Sequence, residues 1–109
     1  MNYFITEQER KKDNTTYFEF QKGTYSGKCW LEDSMLLDAD IFDDYQLSKL
    51  FKAVLPEFDY YGITVITRED WFKVCENAKN TAVEELLKEL SLWIDACFKE
   101  FDTVSLLGL

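Results

Sequence analysis

The sequence predicts an α+β fold in one domain, residues 1–109: a mixed β-sheet with about three helices on one side, in the order β-β-β-α-β-α-α-β. Three observations carry this. Residues 15–21 alternate between two faces, the period of a half-buried strand. Leu47, Leu50, Phe51, Val54 and Leu55 recur at helical spacing, as do Leu86, Leu87, Leu90, Trp93, Ile94, Cys97, Phe98 and Phe101. Between these stripes lies PEFDYYGITVITREDW, residues 56–71, where a helix stop, a turn, a strand and a helix start follow one another.

Taken in order, residues 3–6 read as a first strand, and residues 7–14 as a polar loop. In the alternating segment Phe18 and Phe20 share one face, and Tyr17, Glu19 and Gln21 the other. Gly23 and Gly27 bracket a turn, after which residues 28–31 return with Cys29 and Leu31 on one face, the pattern of an antiparallel hairpin. Met35-Leu36-Leu37 extends the sheet or leads into the next helix. Asp43, with Gln46 three residues later, forms a capping box that opens a helix, and Lys49 and Lys52 face outward.

Pro56 lacks an N–H and disfavours helical geometry in the residue before it, so this helix ends at Val54 or Leu55. Gly62 turns the chain. Ile63-Thr64-Val65-Ile66 is β-branched and suits a strand buried on both faces. Thr67 caps a helix from Arg68 to about Ala78, with acidic Glu69 and Asp70 in its first turn and Trp71, Cys75 and Ala78 along one side, beside Phe72. Thr81-Ala82-Val83-Glu84 is a second capping box, so another helix starts there; one continuous bent helix satisfies the same pattern. Val104, Leu106, Leu107 and Leu109 form a closing strand. This strand and residues 62–66 flank the last helices, an arrangement that suits parallel pairing through a right-handed crossover.

Composition narrows function by exclusion. At 109 residues with 17% aromatics, the chain buries roughly two-thirds of its unfolded surface, and needs no metal or disulfide staple. The net charge of −9 repels nucleic acid and anionic membranes, and by itself fits a basic partner and simple solubility equally. The one basic cluster, Arg10-Lys11-Lys12, is flanked by Glu7, Glu9 and Asp13 and reads as solvated loop. There is no histidine, which removes the commonest general base and zinc ligand. Cys29, Cys75 and Cys97 lack metal-site or disulfide spacing and read as small buried hydrophobes in a reducing compartment. No cofactor is indicated. With no signal-like apolar segment and no run of membrane-span length, the expected location is the cytoplasm.

The candidate binding residues are acidic. Between Lys28 and Lys49 there is no basic residue, yet Glu32, Asp33, Asp38, Asp40, Asp43 and Asp44 all lie there, and Glu57 and Asp59 follow. Asp43 is accounted for as a cap and Asp44 suits a helix dipole. Glu32, Asp33, Asp38 and Asp40 have no such local role, and their grouping fits a surface for a cationic partner. Tyr60 and Tyr61 beside Asp59 suit an interface, with one of the two exposed. Trp30, Trp71 and Trp93 are assigned to the core.

Enzymatic readings fit poorly. Asp38-Ala39-Asp40 has the look of a dehalogenase-type phosphatase opening, but the chain is too short for that fold and Ile41 stands where Thr or Val is wanted. As a calcium loop it fails at Phe42 and Asp43. Sugar hydrolysis by paired carboxylates needs a substrate cleft that nothing in the sequence signals.

The combination of Tyr17-Phe18-Glu19-Phe20, Leu50-Phe51, residues 56–62, Ile66-Thr67 with Trp71, and Leu106-Leu107-Gly108-Leu109 resembles small bacterial immunity proteins. These are encoded beside polymorphic toxins, including those of contact-dependent growth inhibition. The resemblance spans most of the chain from Tyr17 onward and rests on structural rather than catalytic motifs. It implies a cytoplasmic, non-enzymatic protein that neutralises a cognate toxin domain by tight binding. Joined to the acidic segment, it points to a basic toxin such as a nuclease. A generic acidic interaction module and a small enzyme using Asp38 and Asp40 are the rivals.

Overall fold

The computed structural model describes residues 3–10 and 16–109. Among these, the strands are β1 (Phe4–Ile5), β2 (Tyr17–Lys22), β3 (Met35–Asp38), β4 (Ile63–Thr67) and β5 (Thr103–Leu107). The helices are α1 (Ala39–Asp44), α2 (Leu47–Val54), α3 (Arg68–Ala78) and α4 (Glu84–Cys97). The strands form one sheet in the order β1-β3-β2-β5-β4. The end of the expected N-terminal loop and the start of its following strand, residues 11–15, lie outside the described residues.

The α+β class holds, but the sheet is antiparallel throughout rather than mixed. The expected parallel pairing of the last two strands fails because α3 and α4 both lie between them. One crossover helix carries the chain back to the start of the first strand and gives parallel pairing. Two helices running out and back return it to the end it left, so Thr103 of β5 opens opposite Thr67 of β4.

Residues directly opposite in this ladder share a face. Phe4, Leu37, Phe18, Phe20, Leu106, Val104 and Ile66 lie on one face and join a single buried cluster with side chains of all four helices. Phe18 stacks on Phe42 of α1, ring centroids 3.7 Å apart, and Phe42 and Phe51 stack in turn on Phe58. Each such side chain contributes about 1.5–3 kcal/mol by leaving water.

The opposite face carries Tyr17, Glu19, Gln21 and Ser105, also buried, so β2 is covered on both sides rather than half-buried. The cover is the segment between β2 and β3, which the sequence pattern assigns to a hairpin strand. Residues 28–31 form no strand; β2 pairs with β3 instead. The covering segment hangs from polar side chains of the sheet. Glu19 accepts from the amides of Trp30 (2.8 Å) and Leu31 (2.9 Å), Gln21 donates to the Lys28 carbonyl (2.8 Å), and Ser105 donates to the Gly23 carbonyl (2.7 Å). The alternation of β2 therefore marks two buried faces, one apolar and one hydrogen-bonded.

The first helical region also differs. Asp38, not Asp43, is the cap, accepting from the Asp40 amide at 2.7 Å. α1 stops at Asp44, and Gln46 takes a left-handed φ of 53° before α2 begins. Asp43 and Gln46 thus fall at a break rather than a start. α2 ends at Val54, where Pro56 demands it, and α3 runs from Arg68 behind the Thr67–Asp70 capping box. Asn80, with φ 63°, separates α3 from α4, so there are two helices and not one bent one. No helix among the described residues is long and apolar enough to cross a membrane.

The largest correction concerns β4. It is an edge strand, not an interior one, with Thr64 and Ile66 inward and Ile63 and Val65 46% and 49% exposed. Of the three tryptophans only Trp71 is fully buried; Trp30 and Trp93 are half-buried. The cysteines are free, with Cys97 buried, Cys75 half-buried and Cys29 exposed, so the buried-hydrophobe reading fails for Cys29.

Candidate protein-binding surface

β3 delivers Asp38 to the same end of the sheet at which β5 finishes and β4 begins, because Tyr17 lies opposite Asp38 and Leu107 opposite Ile63. α1, starting at once after Asp38, places Asp40, Asp43 and Asp44 at that end. The turn ahead of β4 brings Asp59, Tyr60 and Tyr61 to meet them. The Tyr60 hydroxyl donates to both carboxylate oxygens of Asp43, at 2.9 and 3.1 Å. Its ring packs edge-on against Phe18 and Tyr61, at 5.1 and 4.9 Å. Burial, then the Asp43 carboxylate, push the Tyr60 phenol above its ordinary pKa, so it stays a proton donor at neutral pH.

The Asp59 carboxylate accepts from the Tyr61 amide at 2.9 Å, and the Asp59 amide donates to the Thr64 hydroxyl at 3.1 Å, which fixes the turn. The C-terminal residues hold it from the other side. Gly108 donates to Gly62 at 2.7 Å and Leu109 to the Tyr60 carbonyl at 2.9 Å. A Cβ on Gly108 would fall 2.0 Å from that carbonyl oxygen, so only glycine admits this approach.

The candidate residues therefore divide. Asp40, Asp44, Asp59, Tyr60 and Tyr61 gather at one end, and Asp38 stands among them engaged as a helix cap. Glu57, exposed, follows α2 and lines a groove beside β4. Glu32 and Asp33 lie apart, at the other end of β3. Asp33 is 3.8 Å from Lys22 and its carbonyl accepts from the Trp93 indole at 3.0 Å. Asp43, set aside as a cap, proves to be the acidic residue that anchors Tyr60. As expected, one tyrosine is exposed: Tyr61, at 77%.

Sequence reasoning missed an apolar strip beside this acidic end. Tyr61, Ile63 and Val65, every second residue, are exposed along the sheet edge, with exposed Leu109 next to them. Tyr17, Trp30, Tyr61, Ile63 and Leu109 line a groove of ≈ 360 Å³ on the adjoining face. Reading residues 63–66 as buried on both faces hid the strip, since a β-branched run looks the same in an interior strand and on an exposed edge.

Among the described residues no group of three Cys, Asp or Glu side chains is placed to hold a metal ion. Burial pushes the Cys97 thiol up to about 11, so it is protonated and unreactive at neutral pH. Comparison with protein-family models, curated proteins and solved structures finds no match to this chain.

Proposed function

We propose that this protein is an immunity protein, a stoichiometric inhibitor that acts in the cytoplasm by binding a cognate basic toxin domain, a nuclease in the simplest case. It binds no nucleic acid itself. The observation that carries the reading is the gathering of Asp40, Asp43 and Asp59 around Tyr60 and Tyr61, directly beside an exposed apolar strip. A charged rim around an aromatic and aliphatic centre is the anatomy of a protein-binding surface. Its negative sign, on a chain of net charge −9, selects a cationic partner and speeds the encounter.

The test has two stages. Affinity capture from the native cell should recover a basic chain, encoded next to this one, whose activity is lost in the complex. Binding time courses should then show association faster than the roughly 10⁵–10⁶ M⁻¹s⁻¹ of a neutral encounter, slowing as salt shortens the Debye length from ~10 Å at 0.1 M to ~3 Å at 1 M. Neutralising Asp40, Asp44 and Glu57 together should slow association and flatten the salt dependence. Recovery of a partner with no toxic activity would leave a generic interaction module. Equal rates and equal salt slopes would remove the electrostatic basis.

A further inference from the structure

The bonds from Gly108 to Gly62 and from Gly23 to Thr103 fix which backbone groups of the last two strands point which way. With Ile63 opposite Leu107, alternation directs Thr64 and Ile66 toward β5, and Ile63, Val65 and Thr67 toward the free edge. The Thr67 amide is taken by the Asp70 carboxylate at 3.1 Å. Ile63 and Val65 have no such partner among the described residues, and their side chains are among the exposed apolar ones. Their outward N–H and C=O groups stand at the spacing an added strand requires.

Alongside this edge runs a groove of ≈ 370 Å³ between β4 and the end of α2, and the charged side chains lining it, Glu57 and Asp70, are both acidic. Asp59 precedes the strand and Glu69 follows it. A second copy of this chain would bring the same carboxylates against themselves, on top of a net charge of −9 each. The edge suits a partner strand of opposite character.

We propose that β4 is a docking edge for strand addition, taking an extended segment of a basic protein that alternates apolar side chains and is flanked by lysine or arginine. This rests on the reading of a basic protein partner and specifies how that partner is held. Backbone bonds to Ile63 and Val65 supply the register, the strip of Tyr61, Ile63 and Val65 receives the apolar side chains, and Glu57, Asp59 and Asp70 face the flanking cations.

The experiment uses a synthetic peptide alternating valine and threonine with lysines at both ends, and a control ending in glutamates. Amide hydrogen exchange and chemical shifts are read residue by residue on the full chain. The lysine peptide should slow exchange at Ile63 and Val65 and shift Tyr61, while the glutamate peptide should not. Val65→Lys, at a half-exposed position, should leave the spectrum of the free protein intact and weaken the lysine peptide at least about tenfold, the size of one interface residue. Strand addition is wrong if the lysine peptide perturbs other elements instead, if both peptides act alike, or if dilution of the free protein changes Ile63 and Val65 through self-association. Should the peptide fail while the captured partner still associates in a salt-sensitive way, strand addition falls and the inhibitor reading stands. Should the peptide dock while the captured partner proves acidic, the inhibitor reading falls alone.

Discussion

The two edges of the sheet are built to opposite ends. β1 is two residues long, and the outward amide of Phe4, with that of Tyr3, is bonded to the Glu89 carboxylate of α4 at 2.7–2.9 Å. β4 is five residues long, and among the described residues its outward groups at Ile63 and Val65 have no partner, beside exposed apolar side chains. An open strand edge invites pairing with other chains, and short length plus a nearby charge are common ways of blocking it. One edge here is blocked by both devices. The difference teaches that the open edge is not a general property of this small sheet but is confined to the side where the acidic turn lies.

Substitutions can break this comparison, in descending order of effect. Within β4, Ile66→Asp places an unpaired charge in the core and should cost about 4–5 kcal/mol or more, enough to abolish cooperative thermal unfolding. A near-native melt would mean that β4 is turned over. Gly108→Ala drives a Cβ into the Tyr60 carbonyl and should cost about 1–3 kcal/mol, while disturbing the amide shifts of Tyr60 and Tyr61 more than those of β1. At the blocked edge, Glu89→Ala removes the acceptor for two amides and should cost about 1.5–3 kcal/mol in denaturant melts, with faster exchange at Tyr3 and Phe4. At the open edge, Val65→Asp should cost only about 1 kcal/mol, from lost strand propensity and repulsion by Glu57 and Asp70, because the side chain is already half exposed and no charge enters the core. Equal losses from Glu89→Ala and Val65→Asp would erase the distinction between the edges.

Local features were legible in the sequence where one residue decides. Pro56 ends α2, Thr67 starts α3, and Leu86, Leu87, Leu90, Ile94, Cys97 and Phe98 are buried as their spacing requires. Trp93 is half-buried, and Phe101, beyond the end of α4, is exposed. Strand neighbours were not legible, because they depend on pairings between residues far apart in the chain. Glu19 and Gln21 look like solvent-facing positions, yet they are buried by a segment whose backbone they bond. The acidic end was half legible. The density of carboxylates was visible, but not that the length of β3 carries Glu32 and Asp33 away from Asp38, nor that Asp43 rather than Asp38 would be free to hold Tyr60.

The most direct test of the account is an amide exchange map of the complex with the captured basic partner, compared with the free protein. In the free protein Phe4 should exchange slowly, and Ile63 and Val65 rapidly. On binding, protection should rise at Tyr61, Ile63 and Val65 and at the Asp59 turn, and stay unchanged at Tyr3 and Phe4. Protection confined to β1, or to the outer faces of α3 and α4, with Ile63 and Val65 still exchanging freely, would contradict it.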